Sequence, residues 1–131
     1  MLMTSSFGAA QTPYQPVQDN DAGEEVIVIG NLAIDEARFS VTVGAEKVDL
    51  AYKEFELLKF LVSHVGQVFD RNALMWGAWG KDQIQQARTI DVHIARLRKK
   101  LKGIYPYRIV TVRKRGYGFI QDPEGRYERQ S

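Results

Sequence analysis

From Arg88 to Arg115 the chain carries ten lysines and arginines against one acid, Asp91, and its apolar residues recur at helical spacing. Ile90, Ile94, Leu97 and Leu101 fall within about 60° of one another at 100° per residue. A helix over 87–102, stopped at Gly103, therefore buries one narrow stripe and leaves a basic surface outside. Arg88, Val92, Ala95, Arg96, Lys99 and Lys102 lie on its far side, with Thr89, His93, Arg98 and Lys100 on the flanks. A β-hairpin pattern follows, in which 108–113 and 117–120 flank a basic tip, Lys114-Arg115-Gly116. Outside this segment eight Lys/Arg face fifteen acids, so the overall charge of +2 hides a sharp division. Charge divided in this way points to a face that meets a polyanion, with nucleic acid foremost. The alternative is a solvated helix face that only keeps the protein soluble.

The remaining sequence bounds what surrounds that face. The length of 131 residues suits one domain, and 44% hydrophobic with 26% charged residues is a globular composition. There is no cysteine, which excludes disulfides and thiolate chemistry, and His64 and His93 are too few for a histidine metal centre. No run approaches the ~18 apolar residues of a membrane helix, and no basic-then-apolar leader opens the chain. The expectation is a cytoplasmic, nucleoid-associated protein without membrane contact, cofactor or metal. Residues 1–24 read as a disordered tail, 25–122 as the folded domain and 123–131 as a flexible end.

Within the domain, Val26–Ile29, Leu32–Ile34, Phe39–Val43 and Val48–Leu50 alternate as short strands. Gly30-Asn31, Asp35-Glu36 and Gly44-Ala45 separate them, which predicts a four-stranded antiparallel meander. The period then switches: Phe55, Leu58, Leu61, Val62 and Val65 predict a helix over 52–65 capped by Gly66. Asp70 is an N-cap for a second helix that holds Leu74, Met75, Trp76 and Trp79 and stops at Gly80. The predicted fold class is α+β, with an N-terminal sheet, three helices and a C-terminal hairpin.

That order outlines a winged helix-turn-helix, and the residues match a family. The chain resembles the DNA-binding effector domain of OmpR/PhoB-type response regulators across about Val26 to Asp122. The match runs through Tyr52-Lys53-Glu54-Phe55-Glu56-Leu57-Leu58, Gly66-Gln67-Val68-Phe69-Asp70-Arg71 and Trp79-Gly80. It continues through Arg88-Thr89-Ile90-Asp91-Val92-His93-Ile94, Arg96-Leu97-Arg98-Lys99, Thr111-Val112-Arg113 and Gly116-Tyr117-Gly118-Phe119. No receiver domain precedes these motifs, so the expectation is a free-standing regulator or a fragment of a two-component protein in a bacterial phosphorelay.

A helix of this diameter fits the major groove of B-DNA, and its exposed face can present side chains to base edges. The expected recognition-helix contacts are Arg88, Thr89, Val92, His93, Arg96, Arg98, Lys99 and Lys100. Arg96 is suited to a bidentate guanine contact or a phosphate clamp, and Arg88 and Thr89 to phosphates at the helix N-terminus. His93 is either a phosphate donor or a surface histidine without a role. The resemblance implies a wing in the minor groove through Thr111 and Arg113, with Lys114 and Arg115 adding charge and Tyr117 at the wing base. It implies backbone contacts from Arg71 and from Trp79, the latter with core packing as its alternative. The same resemblance makes Lys81, Asp82, Gln83 and Ile84 an RNA polymerase contact loop, or else a solvated connector. Ala51, Ala95, Lys114 and Gly118 depart from the family's usual residues, which bears on the DNA sequence read and not on the mode of binding.

The function expected is sequence-specific binding to double-stranded DNA as a transcriptional regulator. The chain is expected to be a monomer in solution and a tandem dimer on direct-repeat half-sites. The alternative is a winged-helix protein-interaction module that contacts the transcription machinery. Catalysis is not expected: Glu54 and Glu56, two residues apart on a helix, point away from each other, and no phosphate loop or nucleophile–base pair stands out.

Overall fold

The computed structural model describes residues 26–80 and 87–127, so the expectations for 1–24 and for Lys81, Asp82, Gln83 and Ile84 lie outside the described residues. Four antiparallel strands come first: β1 (Val26–Ile29), β2 (Leu32–Asp35), β3 (Ser40–Val43) and β4 (Glu46–Val48), adjacent in sequence order. Alternation turns Leu32, Ile34 and Val41 inward, each at most 1% exposed. The Gly30-Asn31 turn does more than reverse the chain. A Cβ at Gly30, where φ is +60°, would lie 2.5 Å from the Tyr105 carbonyl oxygen, so only glycine allows that approach. Asn31 then staples the turn to the distant segment, donating through Nδ2 to Gly103 O (2.9 Å) and accepting from Tyr105 N (2.8 Å).

Two strand expectations shift. The two-residue turn at Gly44-Ala45 makes pairing resume at once, Val43 opposite Glu46, so the fourth strand is Glu46–Val48 and not Val48–Leu50. Phe39 leaves the third strand at φ +57°, and its ring stacks on Phe55 at 4.1 Å and Tyr52 at 5.5 Å. The loop thereby lids the start of the first helix.

Helix α1 (Tyr52–Val62) begins at Ala51, whose backbone is extended as an N-cap requires. Its methyl group offers no acceptor, so half of the capping box is present: the Glu54 carboxylate accepts from Ala51 N at 2.9 Å. The helix ends at Val62, earlier than its apolar period suggested, because Val65 points to solvent at 40% exposure. Gly66, at φ +88°, donates its N–H to Phe119 O and turns the chain into a two-residue strand, β5 (Val68–Phe69).

Helix α2 (Arg71–Trp79) is capped by Asp70, which accepts from Ala73 N at 2.8 Å, and it stops at Gly80. It crosses α1 closely at Gly77, where any side chain would collide with the Phe60 ring. Helix α3 (Arg88–Lys100) buries the expected stripe of Ile90, Ile94 and Leu97, with Leu101 just beyond. Strands β6 (Tyr107–Val112) and β7 (Gly116–Gln121) form the hairpin, and β5 joins its far edge in the order β5-β7-β6. The turn is Arg113-Lys114-Arg115, closed by Arg115 N to Val112 O at 2.8 Å, so Arg113 sits in the tip and Gly116 in the strand. Lys114 takes φ +66° there, at the position where the resembled family usually has glycine. After β7 the buried Asp122 carboxylate accepts from Arg126 N (2.9 Å) and Tyr127 N (3.2 Å), a hydrogen-bonded turn that closes the described chain. The architecture is a winged helix: a sheet at one end, three helices around one core, and a three-stranded wing sheet at the other.

Candidate nucleic-acid interface

At 100° per residue the surface of α3 divides into sectors around its buried stripe. The sector opposite the core holds Arg88, Val92, Ala95, Arg96 and Lys99, all exposed, with Val92 at 48%. Arg88, Arg96 and Lys99 enter no side-chain hydrogen bond or ion pair found among the described residues. The same holds for Arg113, Lys114 and Arg115 at the wing tip, which are also exposed.

The two flanks behave differently, because each faces a neighbouring element. On the wing side are Asp91 and Arg98, seven residues and so nearly two full turns apart. Arg98 donates through Nε to Ile109 O (3.0 Å) and through Nη2 to Thr111 Oγ1 (2.6 Å), both on β6. Its guanidinium lies 5.6 Å from the Tyr117 ring centroid. Asp91 Oδ1 accepts from Tyr117 Oη on β7 (2.5 Å) and from Arg71 Nε at the start of α2 (2.9 Å). The Arg71 guanidinium, against the cost of partial burial, holds the Asp91 carboxyl below its ordinary range. Burial, then the hydrogen bond to Asp91, pushes the Tyr117 phenol up, so it stays protonated and donating at neutral pH.

On the other flank are Thr89, His93 and Lys100. Lys100 Nζ donates to Glu54 Oε1 at 2.7 Å, and the Glu54 side chain is 2% exposed. Burial alone raises that carboxyl, but the Lys100 and Ala51 donors outweigh it and the net direction is down. His93 Nδ1 lies 2.8 Å from Thr89 O; a carbonyl only accepts, so Nδ1 carries the proton. The His93 ring meets Trp79 edge-on at 4.9 Å.

The sequence expectations thus separate into two groups. Arg88, Val92, Arg96, Lys99, Arg113, Lys114 and Arg115 stand on the open surface as expected. Arg98 and Lys100 are exposed on the flanks, and each side chain also hydrogen-bonds an internal partner. Thr111 is the acceptor for Arg98, and Arg71 and Tyr117 both bond Asp91. Trp79 is 9% exposed, and its indole N–H donates to Lys53 O at 3.0 Å, with the Lys53 ammonium 4.6 Å from the ring centroid. Of its two readings the structure shows core packing; the N–H expected for a backbone contact is already bonded inside. Asp91 is the residue sequence reasoning passed over, although its signal was present as the one acid in the basic segment.

The wing and the first turns of α2 and α3 enclose an open cleft of about 410 Å³, with Arg71, Lys114 and Arg115 on its walls. Asp70, Ala87 and Val112 line it too, so the cleft is of mixed character. Among the described residues no group of three His, Asp or Glu is placed to hold a metal, and no helix is long and apolar enough to cross a membrane.

Comparison with known proteins agrees with this geometry. Residues 45–119 match the family described as transcriptional regulatory protein, C terminal. The DNA-binding domain of RstA from Klebsiella pneumoniae, solved in complex with the RstA box, is 40% identical; the match covers 74% of this chain and 98% of that one, with a TM-score of 0.63. The AdeR DNA-binding domain, solved with an intercistronic region, is 29% identical over 72% of this chain and 99% of that one, with a TM-score of 0.64. The response regulator DrrB of Thermotoga maritima, an OmpR/PhoB homologue, is 32% identical over 72% of this chain and 44% of its own, with a TM-score of 0.63. The chain belongs to the C-terminal transcriptional regulatory family, the OmpR/PhoB-type winged-helix effector domains.

Proposed function

We infer that this chain is a transcriptional regulator that binds double-stranded DNA sequence-specifically, with α3 in the major groove and the wing tip in the adjacent minor groove. The observation that carries the reading is the sorting of its cations. Those on the flanks of α3 are engaged by the protein, whereas Arg88, Arg96 and Lys99 on the outer face and Arg113–Arg115 on the wing have no such partner among the described residues. Unpaired cations on one helix face serve phosphates and guanine edges, and arginines at a hairpin tip suit the potential of a narrow minor groove. Val92 and Ala95 between them supply the small apolar surface that contacts a thymine methyl.

The chain acts as a monomer in free solution and as a head-to-tail pair on direct repeats, since two copies about one helical turn apart share a face of the duplex. Selection from a randomised duplex library tests this. The recovered sites are expected to contain direct repeats spaced near ~10–11 bp and to bind cooperatively. Inserting five base pairs between repeats rotates one copy to the opposite face, so cooperativity should vanish while single-site affinity stays. Recovery of no common sequence, or indifference to the insertion, would count against sequence-specific tandem binding.

A further inference from the structure

Asp91 carries the wrong charge to meet DNA, yet it stands at the edge of the proposed DNA-facing surface. Its carboxylate oxygen Oδ1 receives Arg71 from α2 and Tyr117 from β7, while Arg98, nearly two turns along the same flank, holds β6 at Ile109 and Thr111. The two strands of the wing are therefore each tied to α3 by one side chain, on one line of the helix surface. Strand β7 is also paired to β5 at Tyr117 and Gly118, which holds the base of the wing; without one tie to α3, the hairpin beyond that pairing is free to change its angle to the helix. Tyr117 lies one residue from the strand end at Gly116, so a pivot there is magnified at the tip.

We propose that Asp91 is a positioning residue for DNA recognition: with Arg98 it fixes the angle between α3 and the wing, so that helix and tip reach neighbouring grooves together. The inference rests on the DNA-binding reading above. It has a sign that distinguishes it from simple electrostatics. Deleting a negative charge beside a polyanion site strengthens binding if charge is all that matters. If Asp91 positions the wing, deletion weakens binding despite the gain in net positive charge.

The test uses Asp91→Asn, which keeps the side-chain size, and Tyr117→Phe, which removes the same hydrogen bond from the other side without altering charge. The probe is the duplex recovered by the unaltered chain from a randomised library. Both variants are expected to bind roughly tenfold more weakly. Either change combined with Arg113→Ala is expected to cost little beyond the larger single loss, because a misplaced tip has no contact left to lose. A second measurement is independent of DNA. The chain has no native cysteine, so spin labels at Val65→Cys and Lys114→Cys report the tip position directly. Their distance distribution should be narrow in the parent and broader with Asp91→Asn, both measured well below the melting temperature of the variant. Equal or tighter DNA binding by Asp91→Asn, or an unchanged distance distribution, overturns the proposal. Failure of the unaltered chain to bind any duplex overturns the DNA-binding reading instead, and the label distances still judge the hinge.

Discussion

Replacing Arg88, Arg96 and Lys99 together by alanine is expected to abolish specific DNA binding at physiological salt while leaving the fold intact. Each lost phosphate contact should lower the slope of log affinity against log salt by about 0.9, and a lost bidentate base contact should cost about 1–3 kcal/mol. At about 1–3 kcal/mol each, three such losses total roughly 3–9 kcal/mol, comparable to or above the ~4 kcal/mol that separates a modestly specific site from bulk DNA. The side chains are exposed and make no ion pair among the described residues, so each should shift stability by no more than ~0.5 kcal/mol. Lys100→Ala is the internal control, since its ammonium is held by the buried Glu54 carboxylate. It should leave the salt slope nearly unchanged. Gel shifts across a salt series, beside thermal melts of the same variants, decide between the two behaviours. A triple variant that binds like the parent would remove α3 from the interface.

Gly116→Ala is expected to have the largest effect on stability. Gly116 takes φ +133°, a region L side chains rarely adopt, and a Cβ there would overlap the Phe69 carbonyl oxygen and lie 2.9 Å from Asp70 Cα. Those obstacles are backbone atoms of β5 and of the α2 cap, so relief requires the wing sheet to separate from the helices. Backbone strain and lost strand pairing should together cost roughly 3 kcal/mol or more. For a domain of this size that lowers the melting midpoint by about 12 °C or more, as differential scanning calorimetry would record. A midpoint within about 4 °C of the parent would mean that the wing is not clamped at Gly116 as described.

The parts of this fold legible in the sequence are those set by local physics. The α3 stripe was clear because Ile90, Ile94, Leu97 and Leu101 leave no second face to bury, and Asp70 announced α2 by its capping chemistry. Strand β5 was not, because Val68 and Phe69 form a strand only by pairing with Gly118 and Tyr117 some fifty residues later. Phe39 continued an alternating pattern, but its ring gains more by stacking on Phe55 than by staying in the ladder. The site shows the same division. Periodicity distinguished the outer face of α3 from its flanks, and the outer-face cations are those without a side-chain hydrogen bond among the described residues. What periodicity could not supply was the partner of each flank residue. Glu54 lies 46 residues from Lys100, and Tyr117 lies 26 from Asp91, so those pairings exist only once the helices and wing have packed. Trp79 illustrates the point within one side chain, since Lys53 O, 26 residues earlier, takes the N–H that a phosphate would otherwise receive.

The central claim is that one surface, the outer face of α3 with the wing tip, meets DNA while the flank residues serve the protein. Titrating the isotopically labelled chain with a selected duplex, and following backbone amide and arginine side-chain resonances, tests it directly. Large shifts are expected at Arg88, Val92, Ala95, Arg96 and Lys99 and at Arg113, Lys114 and Arg115, saturating together. The β1–β4 sheet should stay near its free positions. Shifts centred on that sheet, or a response of α3 without any at the wing tip, would contradict it.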